Sequence, residues 1–303
     1  LGKGLPNEKP IINNIDYKLF TKKENGVTIS AWDRYNQTLN TVKNIPEAEL
    51  ISKFLMLQKR IAQVNSWFDY LKEDQRVHGY VIPNGAITGR MSHFKPNLAQ
   101  CPASYSPYGK ECRSCWVVPN NYKLVGIDAS GLELRMLSHY MNDEEFKNEI
   151  LNGDIHTANQ KLAGLESRDQ AKTFIYALIY GGSDKRLGEV VGGNRRDGTK
   201  LRRSFLNNLP SFAILKDRVE RATAKKYLKG LDGRKVFIRH EHAALNSLLQ
   251  SAGAIVMKQA LVNLNKSIKE NNLDAHFVAN VHDEWQIEAH ENCAEEVGKL
   301  GVA

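Results

Sequence analysis

The run Phe277-Val278-Ala279-Asn280-Val281-His282-Asp283-Glu284-Trp285-Gln286-Ile287 decides how this chain is read. Phe277, Ala279 and Val281 alternate with their neighbours, and Trp285 and Ile287 resume the alternation beyond the acids. Period-two patterning on both sides of a short polar break predicts a β-hairpin with His282, Asp283 and Glu284 at or beside its turn. An aspartate there lowers strand propensity and is repelled by its acidic neighbour, so a cation is a natural compensation. A solvated acidic turn is the plainer alternative for Asp283 taken alone.

A second motif far upstream shifts that balance. In Val125-Gly126-Ile127-Asp128-Ala129-Ser130-Gly131 an apolar run again ends in an aspartate, and Leu124–Ile127 reads as a short buried strand. Two aspartates brought together on rigid strands suit a pair of magnesium ions, which prefer oxygen ligands and keep water and substrate phosphate oxygens in their shell. One ion would lower the pKa of a primer 3′-hydroxyl and the other would stabilise a pyrophosphate leaving group, with no side-chain nucleophile required.

Between the two lies Ser167-Arg168-Asp169-Gln170-Ala171-Lys172-Thr173-Phe174-Ile175-Tyr176. Ser167 and Gln170 fit a capping box, which predicts a helix starting at Arg168. Arg168 and Lys172 then share one face of the first turns, where they repel each other and oppose the positive helix end by a few tenths of a kcal/mol each, roughly. A bound triphosphate would reverse both effects. Tyr176 and Tyr180 continue the stripe. A solvated basic face with core tyrosines is the alternative. No Walker-type G-x-x-x-x-G-K-[ST] loop occurs.

Outward from these motifs, the chain has 303 residues and a formal net charge of +8, which favours an anionic partner such as nucleic acid. Cys101, Cys112, Cys115 and Cys293 read as reduced thiols; Cys112 and Cys115 have ligand-like spacing, but no second pair follows. Reduced cysteines fit a cytoplasm best, and no apolar run is long enough to span a bilayer, so no membrane partner is expected. The chain opens on Leu1 and stops soon after the second acidic motif, so both ends are expected to be cut.

Residues 1 to about 45 are polar and predict little regular structure. A helix is predicted after Pro46, with Leu50, Phe54, Leu57 and Ile61 on its apolar face and Trp67, Phe68 and Leu71 continuing it. Residues 77–120 read as loops and strands. Leu134, Leu137 and Met141 mark the inner face of a helix after Gly131, and a further helix spans roughly 242–268. The fold class is mixed α/β (α+β).

In this order the segments resemble the polymerase core of family A (DNA polymerase I-like) DNA polymerases, especially the bacteriophage branch. Motif A is matched by Asp128-Ala-Ser-Gly-Leu-Glu133-Leu-Arg135, motif B by Arg168-x-x-x-Lys172-x-x-x-Tyr176-x-x-x-Tyr180-Gly181, and motif C by His282-Asp283-Glu284. Thr88-Gly89-Arg90, Pro96-Asn97-Leu98-Ala99-Gln100, Gly153-Asp154-Ile155-His156-Thr157 and Leu245–Gly253 are supporting matches.

The resemblance implies a right-hand polymerase fold: a thumb remnant and the approach to the palm at 1–78, palm at 79–132 and 246–303, and fingers at 133–245. It implies a primer–template DNA partner and deoxynucleoside triphosphate substrates, acting in viral replication in the host-cell cytoplasm. Asp128 and Asp283, with the Ala129 carbonyl, would hold two Mg2+ ions, with Glu284 beside the site. Arg168, Lys172 and His156 would grip the triphosphate, and Lys172 would also protonate pyrophosphate. Glu133 would be the gate against a 2′-hydroxyl, and Tyr176 the position that admits dideoxynucleotides. Tyr180 would stack near the template base. Arg90, Asn246, Gln250 and His282 would contact the primer–template terminus through the minor groove, testing pair geometry more than sequence.

Against the family pattern the chain is expected to be without an exonuclease domain and most of the thumb, which implies weak grip and low processivity. A processivity partner is not implied by any motif. Two alternatives stand beside this reading. A single-subunit RNA polymerase shares the palm and basic helix, but Glu133 opposes it. A truncated nucleic-acid-binding fragment without activity is opposed by the intact Asp128, Asp283, Arg168 and Lys172.

Overall fold

The structure, a computed structural model, describes residues 22–24, 27–29 and 46–302. The chain divides into two units, Leu1–His78 with Pro102–Ser114, and Gly79–Cys101 with Cys115–Ala303. Within the first, strands β1 (Lys22–Glu24) and β2 (Val27–Ile29) pair antiparallel. The rest of the weakly structured stretch predicted for residues 1–45 lies outside the described residues. Helix α1 (Pro46–Phe68) begins where the sequence places it, with proline in its first turn. Its predicted apolar face is not buried: Leu50 is 68% exposed, Phe54 63% and Ile61 60%. Phe68 and Leu71 are also exposed, whereas Trp67 is buried. Periodicity identifies which side chains share a stripe and says nothing of what covers it. Helix α2 (Gly109–Ser114) falls in a segment expected to be loop and strand.

The second unit opens with a hairpin of β3 (Tyr80–Ile82) and β4 (Ser92–Phe94), followed by a 3-10 turn at Leu98–Gln100. Strand β5 (Tyr122–Asp128) leads into α3 (Leu132–Met141). Helices α4 (Glu144–Asn152), α5 (Ile155–Ala163), α6 (Arg168–Ile179), α7 (Asp184–Glu189), α8 (Arg195–Asn208) and α9 (Pro210–Ala222) follow. A hairpin of β6 (Tyr227–Lys229) and β7 (Lys235–Phe237) precedes the long helix α10 (Ala244–Glu270). Strands β8 (Ala275–Val281) and β9 (Glu284–His290) and helix α11 (Ala294–Val302) complete it.

The main sheet is antiparallel, in the order β5-β9-β8. The predicted hairpin is present, with His282 and Asp283 as its two turn residues, since Val281 pairs with Glu284. His282 sits at φ 61°, the left-handed value that a two-residue hairpin needs at its first central position. The strict alternation expected in the first strand is broken by a bulge: Phe277 pairs with Ile287 and Ala279 with Gln286, leaving Val278 extra and exposed. Strand β5 is also not the buried strand expected. It is an edge strand, exposed and half-buried residues alternate from Leu124 onward, and Leu124 is 47% exposed. Apolar composition alone cannot tell an edge from a centre.

Two apolar clusters fill this unit. One gathers α3, α6, α8, α9 and the start of α10, around Leu137, Phe174, Ile175, Phe205, Phe212 and Leu249. The other lies between the sheet, α10 and α11, around Trp285, Ile287, Met257, Leu264 and Val297. Leu245, Leu248 and Leu249 of α10 enter the first, and Met257, Leu264 and Ile268 the second. A helix apolar on several faces is one that is buried along its length, and α10 joins both clusters.

Candidate active site

The sheet register brings the two aspartates together. Asp128, the last residue of β5, pairs across the ladder with Glu284, the first of β9. The next backbone step is bonded too: the Ala129 N–H donates to the Asp283 carbonyl at 2.9 Å. Asp128 is therefore placed by a strand end, and Asp283 by a two-residue turn whose backbone is bonded to the residue after Asp128. Burial, and then the Glu284 carboxylate, push Asp128 above the usual carboxylate range. Glu284 itself accepts a hydrogen bond from Gln286 Nε2.

A carboxylate whose proton affinity is raised by burial and an acidic neighbour, as Asp128 is, favours a cation beside it. No group of three or more His, Cys, Asp or Glu side chains among the described residues is arranged to hold a metal on its own. Two aspartates nevertheless fit magnesium, which takes one or two protein carboxylates and completes its shell with water and substrate phosphates. None of the four cysteines is in a disulfide among the described residues.

Glu133 lies in the first turn of α3 and is buried. Its Oε1 accepts from Arg90 Nη2 at 2.8 Å, and only 17% of the arginine side chain and 11% of the glutamate side chain is exposed. His282 belongs to the same group: burial lowers its pKa first, the Arg90 charge lowers it further, and Asp283 partly offsets both.

Helix α6 begins as its sequence requires. Ser167 Oγ accepts from the Gln170 N–H at 3.2 Å, and Gln170 Oε1 accepts from the Ser167 N–H at 3.2 Å. The buried side of the helix carries Ala171, Phe174, Ile175, Leu178 and Ile179. Arg168 is held by Asp154, which accepts from Nε at 2.6 Å and Nη2 at 3.2 Å. Asp154 also caps α5, accepting from the His156 N–H at 3.1 Å and the Thr157 hydroxyl at 2.8 Å. These bonds, the Arg168 guanidinium first, hold the Asp154 carboxyl far below its ordinary range. Lys172 is exposed and has no hydrogen-bond or ion-pair partner among the described residues.

His156 is kept below its ordinary pKa by burial and then by the Arg168 and Lys172 charges. Its ring lies 6.3 Å from that of Tyr176, which lies 6.1 Å from that of Tyr180. Burial pushes both phenols up, and the Glu133 and Asp283 charges add to it. The tyrosines therefore link the basic helix to the acidic group. Gly181 follows at φ +75°, where any Cβ would meet the His242 carbonyl at 2.0 Å.

Asn246 and Gln250 share one face of α10 at half-buried positions, and neither hydrogen-bonds to another of these residues among those described. Two residues given no role in the sequence reading prove central to the geometry. Asp154 could have been found as an N-cap two residues before His156. Lys258 carries no local signal. Its Nζ donates to the Pro83 carbonyl, Asn84 Oδ1 and the Gly89 carbonyl, each at 2.7 Å.

The model of DNA polymerase family A matches residues 12–302. The DNA-directed DNA polymerase of Enterobacteria phage T3 is 42% identical over 275 residues, covering 79% of this chain and 39% of the relative. That of Escherichia phage T7 gives the same identity and coverage. The chain thus spans about two fifths of the length of these relatives. A solved structure of the polymerase domain of Pol1 from M. smegmatis, in complex with DNA primer-template and dNTP, superposes with a TM-score of 0.81 at 22% identity. It covers 93% of this chain and 53% of that one, so the fold is that of a polymerase domain. No helix among the described residues is long and apolar enough to cross a membrane.

Proposed function

The chain belongs to DNA polymerase family A, and from that premise we propose that it is the core of a template-directed DNA polymerase. In this reading it adds deoxynucleotides to a primer 3′-hydroxyl in viral DNA replication. The observation that carries the reading is the register of Asp128 against Glu284, with Ala129 bonded to Asp283 across the strand ends.

Asp128, Asp283 and the Ala129 carbonyl would hold two magnesium ions. When bound, these would lower the pKa of the primer hydroxyl and stabilise the departing pyrophosphate. Glu284 stands beside them and raises the local negative charge. Arg168 and Lys172 would take the triphosphate oxygens with His156, and the exposed Lys172 ammonium is free to deliver a proton to pyrophosphate. Arg168 would exchange its Asp154 carboxylate for phosphate, a guanidinium being suited to either. Glu133, buried and tied to Arg90, favours a deoxyribose selection and opposes the RNA polymerase alternative.

Tyr176 and Tyr180, protonated at neutral pH, would present a phenol to the sugar and a ring to the template base. Arg90, Asn246, Gln250 and His282 would meet the minor groove of the primer–template end. Residues 79–132 and 246–303 would form the palm, 133–245 the fingers, and 1–78 the thumb remnant.

Primer extension on a short primed DNA template with magnesium and dNTPs tests the reading, with Asp283→Ala as control. Metal-dependent extension lost in the variant supports it. Binding of primer–template without extension would favour a silent nucleic-acid-binding fragment.

A further inference from the structure

Lys258 projects from α10 onto the loop between β3 and β4, and all three of its ammonium donors are engaged there. The acceptors are the Pro83 carbonyl, Asn84 Oδ1 and the Gly89 carbonyl, each 2.7 Å from Nζ. An ammonium has three donors and no acceptor, so the side chain is saturated by one loop. None of its partners is a carboxylate, although half-burying an ammonium is costly without good acceptors.

The third acceptor is the informative one. The Gly89 carbonyl lies in the same rigid plane as the Arg90 nitrogen and Cα, so fixing that oxygen fixes the point from which the Arg90 side chain departs. Gly89 has φ +79°, and its N–H donates to the Ala86 carbonyl at 2.9 Å, while the Ala86 N–H donates to the Arg90 carbonyl at 3.1 Å. The loop is closed on itself and clamped from outside by one lysine. From it, Arg90 reaches Glu133 at 2.8 Å.

We propose that Lys258 is a positioning residue of the polymerase reaction: by fixing the Gly89–Arg90 peptide it holds the Arg90 guanidinium between Glu133 and the primer terminus. This rests on the polymerase reading above, and one arm of its test does not depend on that reading.

In the 303-residue chain, Lys258→Met keeps the stem and removes the donors, Lys258→Arg restores N–H donors, and Asn84→Ala deletes one acceptor. The amides of Ala86 and Gly89 should exchange about tenfold faster or more in Lys258→Met than in the parent, with the α6 amides unchanged. Unchanged exchange in the loop overturns the clamp, whether or not the chain extends primers.

In the kinetic arm, Lys258→Met should lower kcat for a matched primer about tenfold, with KM for dNTP and the Kd for primer–template within about twofold; a misplacement of 1 Å can cost roughly a hundredfold. Asn84→Ala should show a smaller loss and Lys258→Arg a partial recovery. In an Arg90→Ala background the Lys258→Met loss should disappear, because the two act as one unit. Losses that multiply independently overturn the positioning role. A parent chain that fails to extend any primer counts against the polymerase reading, and the exchange arm still decides the clamp.

Discussion

Arg90 Nη2 and Glu133 Oε1 meet at 2.8 Å across 43 residues of sequence, joining the loop after β3 to the first turn of the helix that follows Asp128. Both side chains are largely shielded from water, so the pair is neither a solvated surface contact nor easily dissolved by salt. Removing one partner leaves the other charge poorly compensated, which is where such pairs exert their largest effect.

Glu133→Ala should therefore do two things at once. It should destabilise the chain by about 2 kcal/mol through the stranded Arg90 guanidinium. It should also cut discrimination against ribonucleotides by about tenfold or more, by opening the space beside the sugar. Glu133→Gln keeps the bulk and should retain most discrimination while weakening the pair. Thermal unfolding and competitive dNTP/rNTP incorporation measure the two effects separately. Discrimination unchanged in Glu133→Ala would remove Glu133 from the gate.

Asp128→Ala and Asp283→Ala should each reduce extension by about 10³-fold or more, the equivalent of several kcal/mol of transition-state stabilisation. Primer–template binding should change little. The bonds that align the two strand ends are backbone bonds, including Ala129 N–H to the Asp283 carbonyl, and they survive side-chain truncation. Single-turnover extension alongside a binding titration is the measurement, and near-normal extension in either variant would refute the metal assignment.

The parts of this site that sequence reasoning reached are those written in local patterns. Alternation around His282–Glu284 specified the hairpin, and Ser167 with Gln170 specified the start of α6, because both are set by neighbours a few residues apart. The bulge at Val278 and the exposure of Leu124 escaped because they depend on which strand lies alongside. Helices α4, α5, α7 and α8 escaped for a different reason. They are short or polar, and α8 carries four arginines and a glycine, so their main signals are the caps Asp143, Asp154, Ser183 and Asn194. Lys258 lies 169 residues from Gly89, and no local pattern encodes that contact.

Tyr176→Phe should reduce the use of dideoxynucleotides by about tenfold, the worth of one hydrogen bond in a shielded site. Burial and the Glu133 charge hold the Tyr176 phenol above its ordinary pKa, so it remains a donor throughout the neutral range. Incorporation of dNTP itself should be nearly unaffected. Equal ddNTP:dNTP ratios in the two proteins, read from chain-termination patterns, would leave Tyr176 without this role.

Asp154 makes the acid limb of stability predictable in sign. Its carboxyl is depressed in the folded chain, first by Arg168 and then by the Thr157 hydroxyl. A depressed carboxylate contributes stability above its unfolded pKa of about 3.9 and loses it as pH falls through the folded value. Asp154→Asn should therefore lower Tm at pH 6, and the difference from the parent should shrink as pH drops below about 4. About half of each side chain is exposed, so raising the salt concentration should narrow the difference at pH 6 as well. Thermal melts from pH 2.5 to 7 at two ionic strengths test both dependences. A difference that grows toward low pH would mean that Asp154 is not ionised against Arg168 in the folded chain.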